Sequence, residues 1–283
     1  MRLAGPDITP GESPAEWIAD ARNKKYAATK WPFPPATTPD EAARQKAYVE
    51  AAAKANLVIA EVGAWSNPID PDTAKAEQAI RHCQESLALA DEVGAKCCVN
   101  VSGSRNPDKW AGPHPTNFDP EVFDMIVEIV RKIIDAVNPK RTFYCLETMP
   151  WIFPSSPEEY LTLFKAIDRP GFAVHLDPVN MINCPERAYR NGEFLRECFR
   201  QLGAHIKSCH AKDIKLQENL TLHLDECRPG TGTLDYGIYL QELSRLHPDT
   251  PLLLEHLPKE EYPLGVAHIL EVAQAHNLNF IQL

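Results

Sequence analysis

A strand-like apolar run followed by a helix-like run recurs eight times along this chain, and that alternation limits the folds open to it. The early units are the weaker ones. Arg2-Leu3-Ala4 reads as a short first strand, with a helix expected near 14–23. A poor second strand lies near Tyr26-Ala27-Ala28-Thr29, and an alanine-rich helix is expected over 40–55. Leu57-Val58-Ile59-Ala60-Glu61-Val62 is a clear third strand. Residues 72–93 then place Ala76, Ala79, Ile80, Cys83, Leu87 and Ala90 at helical spacing, with Gly94 as the stop. The later strands are Cys97-Cys98-Val99-Asn100-Val101, Thr142-Phe143-Tyr144-Cys145-Leu146-Glu147 and Phe172-Ala173-Val174-His175-Leu176-Asp177. Ile206-Lys207-Ser208-Cys209-His210 and Pro251-Leu252-Leu253-Leu254-Glu255 complete the set. Their helices are expected at 120–137, 157–167, 185–202, 236–246 and 260–276.

Apolar strands flanked by helices imply a parallel sheet covered on both faces. Eight such units in 283 residues predict an α/β protein, a single (β/α)8 TIM-barrel domain over 1–283. An open doubly wound sheet would more often carry a glycine-rich phosphate loop after its first strand, and this chain has none. Prolines fall mostly singly between the periodic segments, as loop punctuation. The stretch Trp31-Pro32-Phe33-Pro34-Pro35 is a stiff loop rather than a linker.

Composition narrows the partners. The chain has 39 acidic against 29 basic residues, a formal net charge of −10, which argues against nucleic acid. No apolar run approaches the ~20 residues of a membrane span, and the N-terminus lacks the apolar core of a secretory signal. The eight cysteines contain no CxxC pair, so free, buried thiols in a reducing, cytoplasmic compartment are expected.

In a barrel, chemistry sits at the C-terminal ends of the strands. The last four strands each end on a metal-ligand type: Glu147, Asp177, His210 and Glu255. Any one of them alone fits an ordinary strand end. Four in consecutive units at one register do not, because three carboxylates meeting at one mouth repel unless a cation joins them. Three carboxylates and an imidazole suit a fairly hard divalent ion. Mn²⁺ is the first choice, with Mg²⁺, Co²⁺ and Zn²⁺ also accepted by such donors. Two open positions on an octahedral ion match a carbonyl and its neighbouring hydroxyl, so the ion would stabilise the enediolate formed when a C–H proton leaves.

With these residues the chain resembles the sugar isomerase/epimerase superfamily with a xylose isomerase-like barrel, which includes ketose 3-epimerases, inosose dehydratases and apurinic-site endonucleases. The likeness covers nearly the whole chain and is strongest over 144–257. It extends to His210-Ala211-Lys212-Asp213 and to Arg228-Pro229-Gly230-Thr231-Gly232-Thr233-Leu234-Asp235-Tyr236, similar to the family's loop after the seventh strand. The resemblance implies a metal quartet of Glu147, Asp177, His210 and Glu255. It also implies that Glu147 and Glu255 act as acid and base on opposite faces of a small sugar. Arg228 would hold sugar oxygens, and pairing of barrels into a homo-oligomer is common in the family.

The chain also departs from that pattern. Asn180 stands where many members carry a histidine three residues after the aspartate. It can hydrogen-bond a hydroxyl but cannot act as an imidazole base, which argues against the multi-zinc nuclease arrangement. This substitution and the insertion 214–227 keep a lyase open as the alternative: dehydration of a keto-inositol or keto-sugar, or deglycosylation of a 3-keto glycoside. Lys212 is expected beside the metal, paired with or positioned by Asp213 rather than acting as an aldolase lysine. Trp65 and His114 are placed near the mouth as substrate contacts. His175 and His256 flank ligands and are expected to turn away from the ligand side.

Overall fold

The computed structural model describes residues 1–283. Its strands are β1 (Arg2–Ala4), β2 (Ala28–Lys30), β3 (Val58–Gly63), β4 (Cys97–Asn100), β5 (Tyr144–Glu147), β6 (Phe172–Leu176), β7 (Ile206–Ala211), β8 (Asp213–Leu216), β9 (Leu224–Cys227) and β10 (Pro251–Leu254). Its α-helices are α1 (Pro14–Asn23), α2 (Pro39–Ala55), α3 (Thr73–Val93), α4 (Pro120–Val137), α5 (Pro157–Ile167), α6 (Pro185–Tyr189), α7 (Asn191–Leu202), α8 (Tyr236–Leu243) and α9 (Tyr262–Ala275). Eight strands pair in parallel in the order β1-β10-β7-β6-β5-β4-β3-β2. At the seam, Ala27 N–H donates to Leu3 O at 2.9 Å, so the barrel is nearly closed. It is a (β/α)8 TIM barrel in architecture, with β8 and β9 as a separate antiparallel hairpin.

Local chemistry sets the helix ends. Thr38 and Glu41 form a reciprocal capping box at the start of α2, and Asp72 accepts from Ala74 N and Lys75 N at the start of α3. Asn56, Gly94, Asn138 and Asp168 close their helices in the left-handed conformation. Between those ends, one face is apolar. Helix α4 buries Val122, Ile126, Val130, Ile133 and Ile134 against the barrel. Each fully buried aliphatic side chain is worth about 1.5–3 kcal/mol against exposure, as an upper estimate.

Two segments differ from the sequence expectation. The helix expected at 185–202 breaks at Arg190 into α6 and α7. Asn191 explains the break: its Nδ2 donates to Ala188 O at 2.7 Å and to Thr233 O at 2.9 Å, tying the junction to a neighbouring loop. The insertion 214–227 forms most of the β8–β9 hairpin, with Ile214 opposite Glu226 and Leu216 opposite Leu224.

The barrel interior changes character along the strands. Small or apolar side chains fill its lower part, with Ala4, Ala28, Ala60 and Leu253 in one group and Cys97, Val99, Cys145 and Ala173 in another. Strand side chains alternate between faces, so interior positions recur every second residue. Two residues on from Ala28, Cys145, Ala173 and Leu253 stand Lys30, Glu147, His175 and Glu255. An apolar floor thus gives way to a charged mouth. All eight cysteines are free, six of them buried. No helix is long and apolar enough to cross a membrane.

Candidate metal centre

Each member of the quartet sits at the end of its own barrel strand, and helices packed outside the barrel hold those ends. Tyr239 of α8 donates to His210 O at 2.7 Å, and Tyr236 donates to Lys212 O at 2.7 Å. Tyr160 of α5 donates to Leu146 O, and Thr148 Oγ1 donates to Asp177 O at 2.9 Å. These buried hydroxyls fix the backbone from which the ligand-type side chains project. The sequence reading passed over them, although each tyrosine stands in the helix that follows its strand.

Glu147, Asp177, His210 and Glu255 are all buried, and one donor atom from each lies within 4.8 Å of all the others. His210 Nδ1 is 2.8 Å from Glu255 Oε1, 3.2 Å from Glu147 Oε1 and 3.6 Å from Asp177 Oδ2. Asp177 Oδ1 accepts from Val179 N at 3.0 Å and Asn180 N at 3.3 Å, which leaves Oδ2 turned to the centre. Lys212 Nζ lies 2.8 Å from Asp177 Oδ2 and 2.7 Å from Glu255 Oε1. These are ion pairs without hydrogen-bond geometry, and both oxygens are buried with no hydrogen-bond donor.

Beneath the quartet lies a carboxylate that the sequence reading did not single out. Glu61 is fully buried on β3, with Lys30 Nζ 3.2 Å from Oε1, and His175 Nδ1 3.7 Å and His210 Nε2 3.9 Å from Oε2. Pairing of β2 with β3 slips by one residue here, from Thr29↔Ile59 to Lys30↔Glu61. Such an irregularity re-aims a side chain, and Glu61 turns into the barrel beside Ala60. The signal was present, since a glutamate within Ile59-Ala60-Glu61-Val62 is expensive to bury without a partner.

The interior charge does not balance on protein groups alone. Four carboxylates, Glu61, Glu147, Asp177 and Glu255, face two ammonium groups, Lys30 and Lys212. With His210 in the neutral form that a metal ligand requires, two negative charges remain, the charge of one divalent cation. The donor set and this deficit both fit such an ion held by the quartet.

One cavity of about 670 Å³ is lined by Glu147 and Glu255 together with Asn180, Lys212 and Trp65. Asn180 Nδ2 donates to Glu147 Oε1 and Thr148 O, both at 3.0 Å, and its Oδ1 accepts from Lys212 Nζ at 3.2 Å. It therefore links a glutamate to the lysine. Arg228 and His114 do not line this cavity. Arg228 Nε is 3.4 Å from Glu261 Oε2, in a neighbouring recess. His114 caps a short 3-10 turn and contacts Thr116 Oγ1 at 2.9 Å.

Other residues are corrected by their contacts. Asp213 does not pair with Lys212. Its Oδ1 accepts from Ile214 N and Leu234 N, both at 2.8 Å, and its Oδ2 from Gly230 N at 2.9 Å and Gly232 N at 3.0 Å. A Cβ on Gly232 would strike Asp213, and Gly230 has φ +90°, which accounts for the Pro-Gly-Thr-Gly turn. His175 points inward, with its ring centroid 4.0 Å from that of His210. It stands two residues before Asp177, so strand alternation places both on one side. His256 also turns back to the site, 3.1 Å from Glu226 Oε1. Strand β10 has ended by then and His256 has φ 55°, so alternation no longer applies. Glu226 reaches the cavity from the hairpin, 3.4 Å from Lys212 Nζ.

The two glutamates are held differently. Burial pushes the Glu147 carboxyl up, and His210 offsets this only in part. Burial acts the same way on Glu255, but His210 and Lys212 outweigh it and hold that carboxyl well below the usual range. Asp177, also driven up by burial, is brought down to about 2 by Lys212 and His210. Burial disfavours charge on His210, yet Glu255, Glu147 and Asp177 raise it well above an ordinary imidazole. With no cation beside it, the surrounding carboxylates thus favour the charged form of His210. Its stabilising effect is present below ~6.5 and is lost as pH rises through the raised value. A ligand imidazole must be neutral, so loading a divalent ion at pH 7 is expected to release about one proton per site. Calorimetry in buffers of different ionisation heat measures this, and zero release would place His210 outside the ligand set.

The family described as xylose isomerase-like TIM barrel matches residues 20–272. No curated protein matches the chain by sequence. Among solved structures, a xylose isomerase-like TIM barrel protein from Mycobacterium smegmatis in complex with magnesium is similar at 14% identity. The match covers 97% of this chain and 96% of that one, with a TM-score of 0.67. The probable 3-DHS dehydratase from Bacillus anthracis has 16% identity, 96% and 99% coverage and a TM-score of 0.71. D-psicose 3-epimerase from Clostridium cellulolyticum, solved with D-tagatose, has 13% identity, 99% and 100% coverage and a TM-score of 0.67.

Proposed function

The chain belongs to the xylose isomerase-like TIM barrel family, and from that premise we propose that it is a divalent-metal-dependent isomerase or epimerase of a small sugar. The observation that carries this reading is the buried quartet of three carboxylates and an imidazole beneath one cavity. In this reading residues 1–283 act as one barrel domain. Glu147, Asp177, His210 and Glu255 hold the ion, and Mn²⁺ is our assignment for three carboxylates and an imidazole. When bound, the cation supplies Lewis-acid polarisation of a carbonyl oxygen.

The protein groups do the rest. One of Glu147 and Glu255 takes a proton from the carbon beside the carbonyl, and the other returns one from the opposite face. The Lys212 ammonium, made permanent by Asp177, Glu255, Glu147 and Glu226 against the opposing effect of burial, faces the developing oxygen charge. Asn180 keeps Glu147 and Lys212 in register.

A lyase is the second reading, favoured by Lys212 lying between Asn180 and Glu226, where a fixed ammonium can stabilise the negative charge on a departing oxygen. Its substrates would be a keto-inositol, a keto-sugar or a 3-keto glycoside. The test is incubation of the Mn²⁺-loaded protein with a ketose panel in deuterated water, read by NMR. Deuterium at the carbon next to the carbonyl supports proton abstraction. No exchange with any ketose, together with no elimination from keto-inositols or 3-keto glycosides, would sink both readings.

A further inference from the structure

The cavity above the quartet has two unlike halves. Its volume, about 670 Å³, lies in the range that takes drug-sized ligands, and a single six-carbon sugar fills only a fraction of it. One half presents Lys212, Asn180 and the carboxylates, from the β5 to β10 side of the barrel. The other half presents Trp65 after β3 and Trp110 in the loop after β4, and Trp151, after β5, stands where the two halves meet.

This aromatic wall is held in place. Trp151 Nε1–H donates to Ala111 O at 2.8 Å, which fastens the loops after β4 and β5 together. Trp65 folds back over Gly63, where a Cβ would strike the indole nitrogen. Trp65 and Trp110 nevertheless remain 38% and 48% exposed. Indole faces left open in a concave lining favour a flat apolar ligand that removes them from water. In the strand order, β3 and β4 lie across the barrel from β7 and β10, so a sugar seated at the quartet does not by itself cover this wall.

We propose that the substrate is a sugar bearing an aromatic substituent, with the sugar oxygens at the carboxylate half and the aromatic ring against Trp65, Trp110 and Trp151. The proposal rests on the sugar-chemistry reading of the quartet and adds the substituent. Unoxidised glucosides lack a carbonyl, so they report binding without turnover. Titration calorimetry on the Mn²⁺-loaded protein would compare a naphthyl glucoside with the methyl glucoside. The aryl compound is expected to bind at least tenfold more tightly. Trp110→Ala is expected to weaken the aryl compound at least fivefold more than the methyl one. Trp65→Leu, which keeps an apolar side chain at that position, is expected to act in the same direction and guards against misfolding of a single variant. Equal affinity for the two glucosides, or equal losses for both in the tryptophan variants, would overturn the proposal. If bare ketoses exchange deuterium and the aryl preference is missing, this proposal fails alone. If the aryl preference holds and no sugar shows exchange or elimination, the catalytic reading fails and the aromatic subsite stands.

Discussion

Glu255→Gln is expected to lower deuterium incorporation next to the substrate carbonyl by about 10²–10⁴-fold, the usual contribution of a positioned general base. Glutamine keeps the shape of the side chain and one oxygen, but it cannot take a proton. The low affinity of Glu255 for protons comes from His210 at 2.8 Å and Lys212 at 2.7 Å, and the substitution removes the charge both of them pair with. Glu147→Gln is expected to cause a loss of the same order. If the two carboxylates work from opposite faces, each variant loses exchange with a different epimer. NMR with each epimer separately would read this. Wild-type exchange in both variants would remove both glutamates from the proton transfer.

Saturating Mn²⁺ is expected to raise the melting temperature by about 5–10 °C, and a chelator is expected to reverse the rise. A ligand at a hundred times its Kd stabilises the folded state by about 2.7 kcal/mol, and about 2–4 °C accompany each kcal/mol for chains approaching this size. The molecular source is the pair of uncompensated charges among Glu61, Glu147, Asp177 and Glu255. Asp177→Ala and His210→Ala are each expected to abolish the rise. Asp177 supplies Oδ2, turned to the centre, and His210 supplies the only nitrogen of the quartet, 2.8 Å from Glu255 Oε1. Thermal melts with and without the ion measure the effect. A wild-type protein whose melting temperature ignores divalent ions would place no cation at this centre.

The quartet was legible because each member ends an apolar run, where an ionisable group stands out. Glu61 has the same property but sits inside its run, and its inward turn depends on a slip in pairing with β2 that the sequence does not display. His175 was misjudged by counting, since two residues along a strand return to the same face. Asp213 was expected to act through Lys212. Three of its four backbone donors come from a turn some twenty residues on, beyond the β8–β9 hairpin, and the fourth is the N–H of Ile214 next to it. Arg228 precedes the turn the resemblance points to, yet its guanidinium goes to Glu261, a contact set by where the loop after β10 passes.

The sequence by itself determined the eight alternating units and hence the barrel, because hydrophobic periodicity and helix caps are local properties that each segment carries alone. It also determined which strands end on ionisable groups. Only the tertiary structure decided which of those groups share one centre, that Lys30, Glu61 and Lys212 belong to its charge balance, and that three tryptophans from separate loops face it across one cavity. The physical reason is that charge interactions depend on distance and burial, and packing against a ligand depends on surface shape. Neither exists until residues far apart in the chain are brought to the same end of the barrel.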